Sequence, residues 1–92
     1  MSDREEPRQG ELWRHFKGDY YKIICIGHHS ETKERMVAYA KVKPVYDTND
    51  NIYVVVDEPC IRPLNMFMSE VDRIKYPDVK QKYRFERVQN DA

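Results

Sequence analysis

A small antiparallel β domain is the fold this sequence predicts, built as a strongly bent sheet or an SH3-like barrel with one short helix, and three observations lead there. The chain has 92 residues, which is room for one domain with a small core. Its apolar residues cluster in short runs rich in Val, Ile and Tyr instead of recurring at helical spacing, the pattern of strands packed on both faces. Gly, Pro, Asp and Asn separate these runs at close intervals, as in a meander of short strands.

The elements follow in order. Residues 1–10 are polar, hold Pro7 and Gly10, and are expected as a mobile arm before a single compact domain at 11–88. Glu11 to Lys17 forms a short strand, with apolar and aromatic residues on both faces, and Gly18-Asp19 turns the chain into a hairpin. Tyr20 to Ile26 is the clearest strand and ends at Gly27. His28 to Arg35 is a polar loop or hairpin tip. Met36 to Val42 resumes a strand that Pro44 is expected to close. Asp47 to Asn51 is a run of turn formers, and Ile52 to Val56 is the next strand. Asp57-Glu58-Pro59 breaks it. Cys60-Ile61-Arg62 is extended because Pro63 disfavours helix for the residue before it, while Pro63 itself suits the start of a helix near 63–69. Lys82 to Val88 alternates and carries charges along one face, which fits a closing edge strand. Residues 89–92 are expected as a mobile tail.

The formal net charge is zero, yet it is unevenly spread. Residues 11–43 carry net +3 and 73–92 net +3, while 44–72 carry net −5 and 1–10 net −1. A balanced chain argues against duplex DNA as a partner, which calls for a net basic domain, and leaves room for a small anionic ligand at a local basic patch. No run approaches a membrane span, and the first residues lack the apolar stretch of a signal peptide, so the expected location is cytoplasmic with no membrane partner. Cys25 and Cys60 are the two cysteines, too few for a disulfide framework and not at metal-ligand spacing.

Three segments then form a recognisable series: Trp13-Arg14-His15-Phe16-Lys17-Gly18-Asp19-Tyr20-Tyr21, His29-Ser30-Glu31-Thr32 with Val37-Ala38-Tyr39, and Arg62-Pro63-Leu64-Asn65-Met66-Phe67. In their order and spacing, from Leu12 to Phe67, the chain resembles the family called domain of unknown function 1653, and Tyr83-Arg84-Phe85 echoes that family's closing Arg-Phe. The resemblance implies a compact β fold found in small bacterial and phage proteins, and no activity. The stretch from Lys43 to Pro59 is longer and more acidic than the family's usual connection, and Cys60-Ile61 replaces its usual aromatic residue.

His15, Lys17, His29, Ser30, Glu31, Thr32 and Arg62 make a polar set drawn from these segments. Lys and Arg neutralise phosphate, Ser and Thr hydroxyls donate to its oxygens, and Glu accepts from a ribose or base. Trp13 and Tyr39 are the candidates to stack on a base. Equally, Ser30, Glu31 and Thr32 could only shape a hairpin turn. Arg62, held by Pro63, is expected to make a bidentate contact with a ligand phosphate or, within the fold, with Glu31. No nucleophile elbow surrounds Ser30 and no glycine-rich phosphate loop exists. Adjacent His28 and His29 point to opposite strand faces, so neither metal nor cofactor is expected.

The resulting expectation is a non-catalytic module binding a small anionic molecule, a nucleotide foremost, which in a phage would sequester a host nucleotide signal. Two alternatives stand beside it: an adaptor for a protein or single-stranded nucleic acid, and a small hydrolase using His15 and Glu31. Strands apolar on both faces in so short a chain also predict a homo-oligomer.

Overall fold

The structure, a computed structural model, describes residues 4–45 and 52–88. Six strands and one helical turn follow in chain order: β1 (Leu12–His15), β2 (Tyr20–His28), β3 (Arg35–Val45), β4 (Ile52–Val55), β5 (Cys60–Pro63), α1 (Leu64–Phe67) and β6 (Phe85–Arg87). They form one antiparallel sheet in the order β4-β3-β2-β1-β6, with β5 on β3. The bent-sheet form of the prediction holds. The sheet does not close into a barrel, because β6 at one end and β4 with β5 at the other have no pairing between them.

β3 organises the sheet. On one side it pairs with β2 from Tyr20↔Val42 to His28↔Arg35, with a bulge between Ile23 and Cys25. Its other side is divided: the first half pairs with β5, from Met36↔Pro63 to Tyr39↔Cys60, and the second with β4, from Val42↔Val55 to Val45↔Ile52. The bulge inserts Ile24 and raises local twist, which bends β2 and β3 around the core.

Pro44 does not close β3 as the sequence predicts; the strand runs through it to Val45, with Pro44 opposite Tyr53. The physical reason is that pairing with β2 stops at Val42. Beyond that point the strand has one neighbour, where a residue without an N–H is tolerated. The helix is also shorter than the predicted span, one turn at Leu64–Phe67 with Pro63 at its N-cap, and the closing strand starts at Phe85 rather than Lys82. The turn run at 47–51 and the tail at 89–92 fall outside the described residues.

One face of the sheet is buried under α1. Trp13, Ile23, Val37, Tyr39, Leu64, Phe67 and Phe85 form the core. Phe67 and Phe85 stack at 4.1 Å between ring centroids, with Trp13 and Tyr39 edge-on or tilted to Phe67 at 5.4 and 5.2 Å. Such pairs add roughly 0.5–1.5 kcal/mol each beyond area burial. This cluster lets a one-turn helix, too short to be stable alone, remain folded.

Residues 4–10 lie against the domain. The Arg4 guanidinium donates to the carbonyls of Met68 and Phe85 and stacks 3.7 Å from the Tyr83 ring centroid. Pro7 is buried, and Glu5 and Glu6 reach Arg87 and Arg35 at 3.6 and 3.1 Å. No helix is long and apolar enough to cross a membrane among the described residues.

Candidate functional site

The hairpin between β1 and β2 sets the first side of the site. Gly18 takes φ +107°, open to glycine and strained for other residues. The turn is closed by His15 N–H to the Asp19 carbonyl and Gly18 N–H to the His15 carbonyl, both 2.8 Å. Lys17 N–H donates to His15 Nδ1 at 3.1 Å. That bond occupies one ring nitrogen as an acceptor, so the neutral ring carries its proton on Nε2. The tight turn therefore fixes the imidazole and sends Phe16 and Lys17 to the same end of the sheet.

The second side comes from the chain after α1. Asp72 Oδ1 accepts from the N–H groups of Ile74 and Lys75 at 3.0 and 3.3 Å, and Tyr76 N–H donates to the Asp72 carbonyl. The Arg73 guanidinium donates to the carbonyls of Val79 and Gln81. These bonds pin the loop that presents Lys75 and Tyr76. Phe16 N–H donates to the Arg84 carbonyl at 2.9 Å, tying the loop's return strand to the hairpin, and Tyr76 meets Phe16 edge-on at 5.0 Å.

Between the two sides lies a hollow of about 250 Å³ lined by His15, Phe16, Lys17, Arg62, Asp72, Lys75, Tyr76 and Arg84. Three predicted residues, His15, Lys17 and Arg62, meet there. Arg62 enters from β5, half-buried, with its guanidinium 5.9 Å from the Tyr39 ring centroid. None of Lys17, Arg62, Lys75 and Arg84 has an acidic partner in an ion pair among the described residues. The clustering registers on His15. Burial pushes its imidazole below the usual 6.5, and Lys17 and Arg62 push the same way against a weaker opposing pull from Asp19, with Arg84 adding a smaller push downward.

His29, Ser30, Glu31 and Thr32 are elsewhere. They form the tip of the β2–β3 hairpin, all exposed, and His29 Nδ1 accepts from the N–H groups of Glu31 and Thr32 at 3.1 and 3.2 Å. Thr32 Oγ1 accepts from Glu34 N–H, and Lys33 completes the turn at φ 65°. The His29 ring and the Thr32 hydroxyl thus satisfy the turn's own backbone, for Thr32 the architectural role weighed above. His15 lies before β2 and Glu31 after it. At about 3.3 Å per residue, that strand holds them roughly 25 Å apart, so they cannot act as an acid–base pair within one chain. Nor does Arg62 pair with Glu31 among the described residues.

The stacking candidates are also corrected. Trp13 and Tyr39 are 2% and 3% exposed, and both belong to the core. Trp13 Nε1 is spent on Glu11 Oε1 at 3.1 Å. Phe16 and Tyr76 are the aromatic residues at the hollow instead. Phe16, Asp72, Lys75, Tyr76 and Arg84 line the hollow without having been singled out in the sequence; Lys75 and Arg84 belong to the net +3 of residues 73–92, a regional excess that does not say which of its cations meet. Among the described residues no group of three His, Cys, Asp or Glu is placed to hold a metal ion, and Cys25 and Cys60 are free thiols.

Against this geometry, the family described as protein of unknown function (DUF1653) matches residues 11–87, from the strand entering the hairpin to the last residue of β6. The chain belongs to the DUF1653 family. The matched span of this DUF1653 protein includes every residue lining the hollow and leaves out the segment that holds Arg4. No curated protein and no solved structure matches it.

Proposed function

We propose that this DUF1653 protein is a non-catalytic binding module for a small anionic molecule bearing phosphate, a nucleotide foremost, and that the hollow at the β1–β2 hairpin is its site. The observation that carries this reading is the convergence of Lys17, Arg62, Lys75 and Arg84 on one hollow with no acidic partner in an ion pair among the described residues. Like charges held together cost energy unless an anion joins them. Charge-assisted hydrogen bonds from Arg and Lys to phosphate are the strong kind, and Nε2–H of His15 adds a neutral donor. Phe16 and Tyr76 offer an apolar rim for the organic part of the ligand.

The test is mass spectrometry of the denatured protein for a retained small molecule, followed by calorimetry across mono-, di- and cyclic nucleotides. Saturable heat that is lost in Arg62→Lys with an unchanged melting temperature supports the reading. Absence of a retained compound together with no binding heat removes it. A compound recovered chemically altered would make the protein an enzyme.

A second reading, an adaptor for a protein or single-stranded nucleic acid, draws on Ile74, which is 96% exposed beside Lys75 at the same end of the molecule. Steep loss of binding with salt and no heat from small ligands would favour it. Self-association belongs to the proposal as well. Ile61 is 68% exposed and borders a shallow apolar hollow of about 240 Å³ with Cys25, Gly27, Met36 and Ala38. Copies of zero net charge do not repel one another.

A further inference from the structure

The hollow's charge and size say which part of a ligand it takes. Lys17, Arg62, Lys75 and Arg84 against Asp72 leave a formal +3 around it, with His15 held neutral near pH 7 by burial and its cationic neighbours. A single terminal phosphate brings about −1.5 to −2 at that pH, which leaves at least one cation unanswered. Two linked phosphates bring about −3, the inner one ionised and the outer past its second pKa near 6.

Size points the same way. At about 250 Å³ the hollow falls below the roughly 300–1,000 Å³ of pockets that enclose whole small molecules, so it has room for a head group and not for a sugar and base besides. The aromatic residues do not form a slot for a base either. Phe16 and Tyr76 touch each other edge-on at 5.0 Å, which leaves outer faces to rest on and no gap to enter. Asp72 is turned to the Ile74 and Lys75 amides, so its carboxylate is engaged by the loop's own backbone and the anion is left to the side chains of Lys17, Arg62, Lys75 and Arg84.

Resting on the anionic-ligand reading above, we infer that the hollow takes the terminal diphosphate of its ligand and leaves the organic group at the rim, so that the protein selects by phosphate number and only weakly by base. Pyrophosphate alone should then bind. Inorganic phosphate and a nucleoside monophosphate bind at least tenfold more weakly, an unphosphorylated nucleoside does not bind, and ADP and UDP agree within about threefold.

The experiment is calorimetry of the full chain with pyrophosphate, phosphate, ADP, UDP, AMP and adenosine at one ionic strength and without divalent cations. It is repeated on Lys75→Ala and Arg84→Gln, whose side chains lie outside the core. Both variants should lose at least tenfold in pyrophosphate affinity with melting temperatures unchanged. AMP as tight as ADP, or a more than tenfold preference between ADP and UDP, overturns the diphosphate inference and leaves the anionic-ligand reading standing. Pyrophosphate binding that survives in both variants overturns the location. No heat from any of the six removes both readings together.

Discussion

His15 joins the turn to the hollow, and its titration is a way to watch the site. Burial and the neighbouring cations hold its pKa below the usual 6.5, so at pH values between the folded value and 6.5 the unfolded chain binds more protons than the folded one. The His15 contribution to stability is therefore complete above 6.5 and is lost as the pH falls from there through the folded value. The melting temperature of the wild type should drop more between pH 7 and pH 5 than that of His15→Gln. A bound phosphate reverses the local field around His15, so near pH 6 the wild type should take up more protons on binding than His15→Gln, in which the phosphate's own second ionisation is left to titrate. The difference is read from how the calorimetric heat depends on the buffer's ionisation heat. Arg62→Lys keeps the charge and loses the planar fork; a tenfold or greater loss of ligand affinity at constant stability is expected, and a loss of stability alone would return Arg62 to a purely structural role. Arg62 was legible in the sequence because Pro63 restricts its backbone. Trp13 and Tyr39 were misassigned because an aromatic residue looks alike in a core and in a pocket until its neighbours are known. Lys75 and Arg84 become part of the site only when the loop folds back, a long-range event that no local pattern encodes.

Each element depends on a small number of residues. Phe67 is fully buried at the end of the single helical turn and stacks on Phe85, so Phe67→Ala should cost about 3–5 kcal/mol, read by chemical denaturation, and should detach α1 from the sheet. Gly18→Ala meets no neighbouring atom; its cost is the positive φ alone, on the order of 1 kcal/mol. Because the same turn aims His15 and Lys17, that variant should also weaken ligand binding, whereas the exposed hairpin-tip variant Ser30→Ala should change neither. The strands themselves were readable: β2 and β4 declare their character through β-branched and aromatic runs, and Gly18-Asp19 marks the hairpin. The extent of β3 was not. Whether Pro44 ends a strand depends on which side of the strand has a partner, and the division of one β3 edge between β5 and β4 is tertiary information.

For the whole molecule, balanced charge and an uncovered apolar patch lead to one expectation. Sedimentation at micromolar concentration should show more than a monomer, and Ile61→Lys should shift the protein toward monomer without lowering affinity for the ligand, because Ile61 does not line the site hollow. A strictly monomeric wild type would mean that water covers that face. The contacts of the first described residues have a consequence of a different kind. Glu5 meets Arg87 at 3.6 Å, Arg4 donates to the Phe85 carbonyl, and Val88 N–H donates to the Leu12 carbonyl at 2.8 Å, so the beginning and end of the fold are neighbours. A circular permutant that joins them by a short linker and opens the chain between Ser30 and Lys33 would cut only an exposed tip. Since His15, Arg62, Lys75 and Arg84 all sit on segments left whole, the rearranged chain should bind its ligand as the original does.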